Sequence, residues 1–251
     1  MSAELTTEVS SVSSVRKTAL VTGGAKRIGR ELALALASRG FDVAITFRDS
    51  AAQAAESVKA IKGLGVRSFA FQMDQRSEDS VRRAFPEAVA ALGGLDLLVN
   101  NAAVFESAPL GEITLEQWDR VFETNTRGPF LVTREALPHL KASQGRVVNL
   151  GSLGGMLAWP LHAHYCSSKA ALHMLTQTMA KAFAPEVSVN CVAPGYIEME
   201  TLEAAGRFSA RTPMKRNGTP QEVAEAVLFF ATGPHFITGQ ILCVDGGLGL
   251  A

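Results

Sequence analysis

The chain carries no excess of either charge, since 24 basic side chains are matched by 24 acidic ones. A balanced chain gives no electrostatic reason to expect nucleic acid or an anionic membrane as the main partner. Cysteine is scarce: Cys166, Cys191 and Cys243 are widely spaced and form no CxxC pair. That speaks against a disulfide framework or a zinc ribbon and fits a reducing compartment, so a cytoplasmic location is expected. No apolar run reaches the roughly 18 residues of a membrane span. Residues 1–16 are rich in Ser, Thr and Val and contain Glu4 and Glu8. They lack the apolar core of a signal peptide and the Arg-rich bias of a transit peptide, and read as a flexible N-terminal tail. The five histidines are scattered, and His162 and His164, two apart, fall on different faces of a helix. No metal site is expected from them.

What is present is a chain 47% hydrophobic and 19% charged, well outside the disordered range. Short apolar runs alternate with helical patterns. Strands are predicted at residues 17–22, 41–47, 66–73, 95–100, 145–150, 186–192 and 240–244. Helices are predicted at 28–38, 51–61, 77–92, 163–183 and 220–231, with 115–142 helical but broken near 124–128. Alternation of this kind implies parallel strands joined by right-handed crossovers, and nearly all-apolar strands imply helices on both faces. No repeat or linker marks a second domain, so 17–251 reads as one α/β domain with a doubly wound sheet of about seven strands. The least regular stretch, 196–218, is a candidate lid. Ligands are expected at the carboxyl ends of the strands, near the switch point.

The first predicted strand ends in TGGAKRIG, residues 22–29, and runs straight into a helix. Gly23 and Gly29 let backbone N–H groups approach a pyrophosphate, and the helix start with Lys26, Arg27 and Ile28 favours negative charge. An ordinary βα turn could carry the same glycines. The second strand ends in Phe47-Arg48-Asp49-Ser50, where a carboxylate would take ribose hydroxyls and a cation a 2′-phosphate. Arg48 offers a planar fork and Ser50 a short donor, which favours NADP(H) over NAD; Asp49 is close enough to pair with Arg48 and weaken that site. Asp74, after the third strand, is placed to accept from an adenine amino group. Asn101, Ala102 and Ala103, after the fourth, leave room for a flat ligand.

Tyr165 and Lys169 are four apart in a helical stretch and share a face. An ammonium beside a phenol is expected to lower the phenol's pKa toward neutrality and fit it for proton transfer. A structural tyrosine satisfies the same spacing. Ser152 follows the fifth strand and is placed to reach the same cleft. Met156 and Trp159 come next and line a substrate pocket, a core or a subunit interface equally well.

Taken together these segments resemble the short-chain dehydrogenase/reductases of the compact type, over residues 17–247. The carriers are TGGAKRIG at 22–29, NNA at 100–102, Asn125 in ETNTRGPF, Ser152, YCSSK at 165–169, APG at 193–195 and ITGQILCVDGG at 237–247. The resemblance implies a Rossmann fold, a nicotinamide cofactor and a proton-relay tetrad of Asn125, Ser152, Tyr165 and Lys169. Ser152 would polarise a carbonyl, Tyr165 would protonate it, Lys169 would bind the nicotinamide ribose and Asn125 would hold a relay water. Pro194, Gly195 and Ile197 match the segment that fixes the carboxamide. A small-molecule carbonyl substrate and a homo-oligomer, a tetramer, are implied as well.

Within the family the details point two ways. Arg27 replaces the usual glycine and, with Phe105 and the APEVSVN run at 184–190, resembles pteridine reductases. Ser152 and the intact PG and VDGG segments resemble 3-oxoacyl-carrier-protein reductases, although Ala184-Pro185-Glu186 is shorter and more acidic than carrier-docking relatives have. Met199 stands where many relatives have a threonine. The expected activity is NADPH-dependent reduction of a ketone, with dihydropterin reduction as the rival. From another class, a dinucleotide-sensing regulator needs no acid, and the intact tetrad speaks against it.

Overall fold

Among the described residues each strand but the last is followed by a crossover long enough to return the chain to the same end of the sheet, so each neighbour lies parallel. The structure, a computed structural model, describes residues 16–198 and 209–250. The predicted tail, apart from Arg16, lies outside the described residues, as do Met199 and the middle of the candidate lid.

The order along the chain is β1 (Thr18–Val21), α1 (Arg27–Ser38), β2 (Asp42–Phe47), α2 (Ala51–Lys62), β3 (Ser68–Gln72), α3 (Glu78–Leu92) and β4 (Leu97–Asn100). Then come α4 (Leu115–Phe122), α5 (Gly128–Ser143), β5 (Arg146–Leu150), α6 (Ala163–Phe183), β6 (Ser188–Pro194), α7 (Pro220–Thr232) and β7 (Ile241–Val244). They form one seven-stranded sheet of order β3-β2-β1-β4-β5-β6-β7, parallel throughout. The order reverses between β1 and β4, which opens a crevice at their carboxyl ends. This is the expected Rossmann-type, doubly wound sheet.

Strand periodicity divides the core. Ala19 and Val21 face Leu32 and Leu36 of α1 and Val223 and Val227 of α7. Leu20, pointing the other way, faces Phe85 of α3, Leu140 of α5 and Met179 of α6. Each large side chain buried this fully contributes roughly 1.5–3 kcal/mol. Helix ends follow local chemistry. Ser77 caps α3 by accepting the Ser80 N–H, Glu78 and Asp79 occupy the first turn, and Gly93 stops the helix at φ +83°.

One predicted feature is corrected. Residues 115–142 do not break near 124–128; the backbone stays helical but widens into a single π turn at Glu123–Arg127 between α4 and α5. The extra residue turns Asn125 inward, to full burial. A buried polar ladder then ties the strand ends to the helices: Asn100 Nδ2 donates to Asn149 Oδ1 at 2.8 Å and to Thr133 Oγ1 at 2.9 Å, and Asn149 Nδ2 donates to Thr176 Oγ1 at 2.9 Å. It fixes α6, which carries Tyr165 and Lys169, against β5. No helix among the described residues is long and apolar enough to cross a membrane.

Candidate active site

A single cleft of about 1230 Å³ runs along the carboxyl ends of the strands. Its first wall is the β1–α1 turn. Gly23 sits at φ +64°, and a Cβ on Gly29 would stand 2.2 Å from the Gly23 carbonyl oxygen, so only glycines close this turn. Asn101 Nδ2 holds it by donating to the carbonyls of Thr22 at 2.8 Å and Gly23 at 3.2 Å. Thr22 Oγ1 in turn accepts from the N–H groups of Asn101 and Ala102. No side chain caps the start of α1, and no acidic residue lies in its first turn. Those free N–H groups beside Lys26 and Arg27 suit an anion, and the turn therefore fits a pyrophosphate. Arg27 itself lies at φ +53°. A non-glycine residue in the left-handed region costs roughly 1–2 kcal/mol, so the arginine is held there against its own preference.

The ends of β2 and β3 carry two ion pairs. Arg48 Nε contacts the Asp49 carboxylate, both half or more exposed. Asp74 takes Arg76 on both oxygens, with Nη2–Oδ2 at 2.6 Å and Nε–Oδ1 at 3.0 Å, and its pKa falls because of those bonds. The expectation of a freely accepting Asp74 is thus modified: it lies in the cleft, but already bound to a neighbour two residues on.

Chemical groups gather at the other end. Ser152 follows β5; its Oγ accepts the Gly154 N–H at 3.1 Å, and it lines the cleft together with Tyr165. Its own N–H donates to Nε2 of buried His173 at 3.4 Å. Lys169 is 3% exposed, and its Nζ donates to the Leu150 carbonyl at 2.7 Å. The expected lowering of the Tyr165 pKa is overturned. Burial raises it to about 12, against a smaller lowering by Ser152. Burial also pulls Lys169 down to about 8. The ammonium lies 5.8 Å from the phenol ring centre and is bonded to a backbone carbonyl, so desolvation of both groups outweighs their attraction. Beside them, burial and then the charge of Lys169 push His173 to about 4, which keeps it neutral and accepting.

A family model described as enoyl-(acyl carrier protein) reductase matches residues 23–249. The 3-oxoacyl-[acyl-carrier-protein] reductase FabG of Staphylococcus epidermidis is 36% identical over 242 residues, covering 93% of this chain and 99% of that one. The chain belongs to the short-chain dehydrogenase/reductase family. The short chain dehydrogenase mdpC of Emericella nidulans is 37% identical, with 92% of this chain and 94% of that one covered. Among solved structures, a mutant of a Serratia marcescens short-chain dehydrogenase/reductase superposes with a TM-score of 0.89 at 32% identity, covering 94% and 99% of the two chains. A blue fluorescent protein from a metagenomic library, in complex with NADPH, superposes with a TM-score of 0.86 at 34% identity, covering 92% and 97%.

Against that family pattern, the cleft collects most of the residues singled out from sequence. Gly23, Lys26, Arg27, Ile28, Gly29, Arg48, Ser50, Asp74, Asn101, Ala102 and Ala103 line it at the β1–β4 side. Ser152, Tyr165, Lys169, Pro194, Gly195 and Ile197 line the β5–β6 side, with Phe105 and Trp159 beyond them. Two fall elsewhere. Met156 stands outside the cleft, half exposed, with its sulfur 3.6 Å from Cys243 Sγ. Asn125 is fully buried, and its amide is taken by the protein: Oδ1 accepts the Val104 N–H, and Nδ2 donates to the Val104 carbonyl and Ser168 Oγ. Gln75, Arg76 and His162 line the cleft without having been foreseen. Gln75 donates to the carbonyls of Ala102 and Thr124 and so joins three loops, which no local spacing announces. Arg76 was legible in principle, as a cation two residues from Asp74.

Proposed function

We propose that this short-chain dehydrogenase/reductase uses NADPH to reduce the carbonyl of a small molecule, a 3-oxoacyl compound or another ketone, to an alcohol. The observation that carries the reading is the meeting of Ser152, Tyr165 and Lys169 in the same cleft as the glycine-walled turn. Gly23, Gly29 and the α1 start would hold the pyrophosphate, Arg48 and Ser50 the adenosine phosphate, and Pro194, Gly195 and Ile197 the carboxamide. The bound cofactor supplies hydride. Tyr165, with its pKa near 12, keeps its proton on Oη at neutral pH and is therefore loaded as an acid. Ser152 orients the carbonyl through a neutral hydroxyl. Lys169 presents a buried ammonium to the ribose side. Asn125 acts as a positioning residue, stitching the loop after β4 at Val104 to α6 through Ser168, since its amide is already engaged.

A second reading, dihydropterin reduction, is favoured by Arg27 in its strained conformation and by Phe105 stacked on His162. Ser152, uncharged and in the same cleft as Tyr165, favours the ketone. NADPH consumption with a β-ketoester panel and with dihydrobiopterin separates them. A kcat/KM more than tenfold higher for the pterin would reverse the assignment, and no turnover on either would remove it. Exposed Leu115, Met174 and Phe229 on α4, α6 and α7 support self-association, read here as a tetramer. Light scattering at the mass of one chain would reject that.

A further inference from the structure

Around Tyr165 four rings touch in a closed circuit. Phe105 stacks on His162 (centres 4.6 Å apart, 27° between planes) and meets Tyr165 edge-on at 4.8 Å and 89°. Trp159 lies parallel to Tyr165 at 6.2 Å and 11°, and edge-on to His162 at 5.9 Å and 78°. All four line the cleft, and Phe105 is 59% exposed within it.

This wall is tied down by contacts within the protein. The Ala108 N–H donates to the Leu161 carbonyl at 2.9 Å, lacing the loop that carries Phe105 to the loop that carries Trp159 and His162. Nδ1 of His162 lies 2.9 Å from the Glu106 carbonyl, which only accepts, so that nitrogen bears the proton and the ring is pinned. Glu106 itself is clamped by Arg120 through two bonds of 2.7 Å. Beneath Trp159, a Cβ on Gly154 would come within 2.9 Å of the indole, so the Ser152 loop packs flush against its face. A preformed aromatic wall gains most from a flat, rigid ligand, because stacking is realised without ordering a flexible chain. Beside it, Arg120 is already paired with Glu106 and is not available to an acidic carrier.

From this geometry we infer that the substrate is a free planar compound whose reducible carbonyl is attached to an aromatic ring, with Phe105 as the specificity-determining residue, rather than an acyl chain tethered to a carrier protein. The inference rests on the carbonyl-reductase reading above.

The test compares kcat/KM of NADPH-dependent reduction for 1-phenylpropane-1,2-dione and nonane-2,3-dione, which share the reacting dione and carbon count but differ in the ring. The aryl substrate is expected to be favoured at least tenfold, and in Phe105→Leu the ratio should fall to within threefold of unity. Phe105 is exposed, so the variant should fold, and NADPH binding followed by fluorescence verifies that it does. Equal or better turnover of the aliphatic dione by the unaltered protein overturns the inference while leaving the reductase reading intact. So does an aryl preference that survives Phe105→Leu. If neither dione is reduced although NADPH binds, the inference falls, and the reductase reading falls with it only when the β-ketoester panel gives no turnover either.

Discussion

At the ends of β2 and β3, Arg48 with Asp49 and Arg76 with Asp74 pair with a residue one or two positions away and stay partly in water. At the start of α6, Tyr165 and Lys169 lie four apart, yet the first is pushed up to about 12 and the second down to about 8. The two regions bound the same cleft. In the first, the Arg76 guanidinium holds the Asp74 carboxyl below its ordinary range; in the second, removal from water sets both groups, and the sign of the shift is opposite to what spacing suggests. Residue types therefore announce the charged end more faithfully than they announce the protonation state of the chemical end.

The most severe way to break this comparison is to delete the proton donor at the buried end. Tyr165→Phe leaves the ring against Phe105 and Trp159 and removes only Oη. Turnover on a ketone should fall by roughly 10²–10⁴-fold, the usual range for general acid work, with the NADPH dissociation constant within about twofold of the original. Retention of half the turnover number, measured where the chemical step limits the rate, would show that the phenol supplies no proton.

That result would also test how much of the site the sequence discloses. The strand–helix alternation was legible because both sheet faces are buried, so β1, β2, β4, β5 and β6 are almost wholly buried and mostly apolar. The glycine turn was legible because Gly23 and Gly29 have no substitute at a positive φ and a 2.2 Å approach. The π turn was not, since the residues that flank it, Phe122 and Gly128, keep helical angles and the turn differs from α-helix in which carbonyl is met. Nor was the Asn125 amide's bond to Val104, which joins residues 21 apart through the fold. The Tyr165 shift escaped for the same reason: burial is a property of the whole packing around α6, not of a pair at helical spacing. Met156 misled because its nearness in sequence to Ser152 ignores the tight turn at Leu153–Gly155 that carries it out of the cleft.

At the charged end the effects are smaller. Arg48→Ala removes the cation expected on the 2′-phosphate and should weaken NADPH binding by about tenfold, roughly 1.4 kcal/mol, while NADH binding changes little. Isothermal titration with both cofactors reads the difference. Equal losses for NADPH and NADH would mean that Arg48 does not discriminate, and that Lys26 or Arg76 bears the phosphate instead.

The finest test acts on the partner rather than on the cation. Asp49 contacts the Arg48 guanidinium and is more than two-thirds exposed. A 2′-phosphate arriving at Arg48 must share it with that carboxylate and meets like charge in doing so. Asp49→Asn keeps the side chain's size and removes the charge, so NADPH should bind about two- to threefold more tightly at low ionic strength, the scale of an exposed ion pair of a few tenths of a kcal/mol to about 1 kcal/mol. The gain should fade as salt is raised past ~0.1 M, where charges are screened over about 10 Å. NADH, without the phosphate, should gain nothing and lose slightly if Asp49 accepts from its ribose hydroxyls. An NADPH affinity unchanged by Asp49→Asn at low salt would mean that the pair opens at no cost when the cofactor binds, and that neighbouring charge does not govern this end after all.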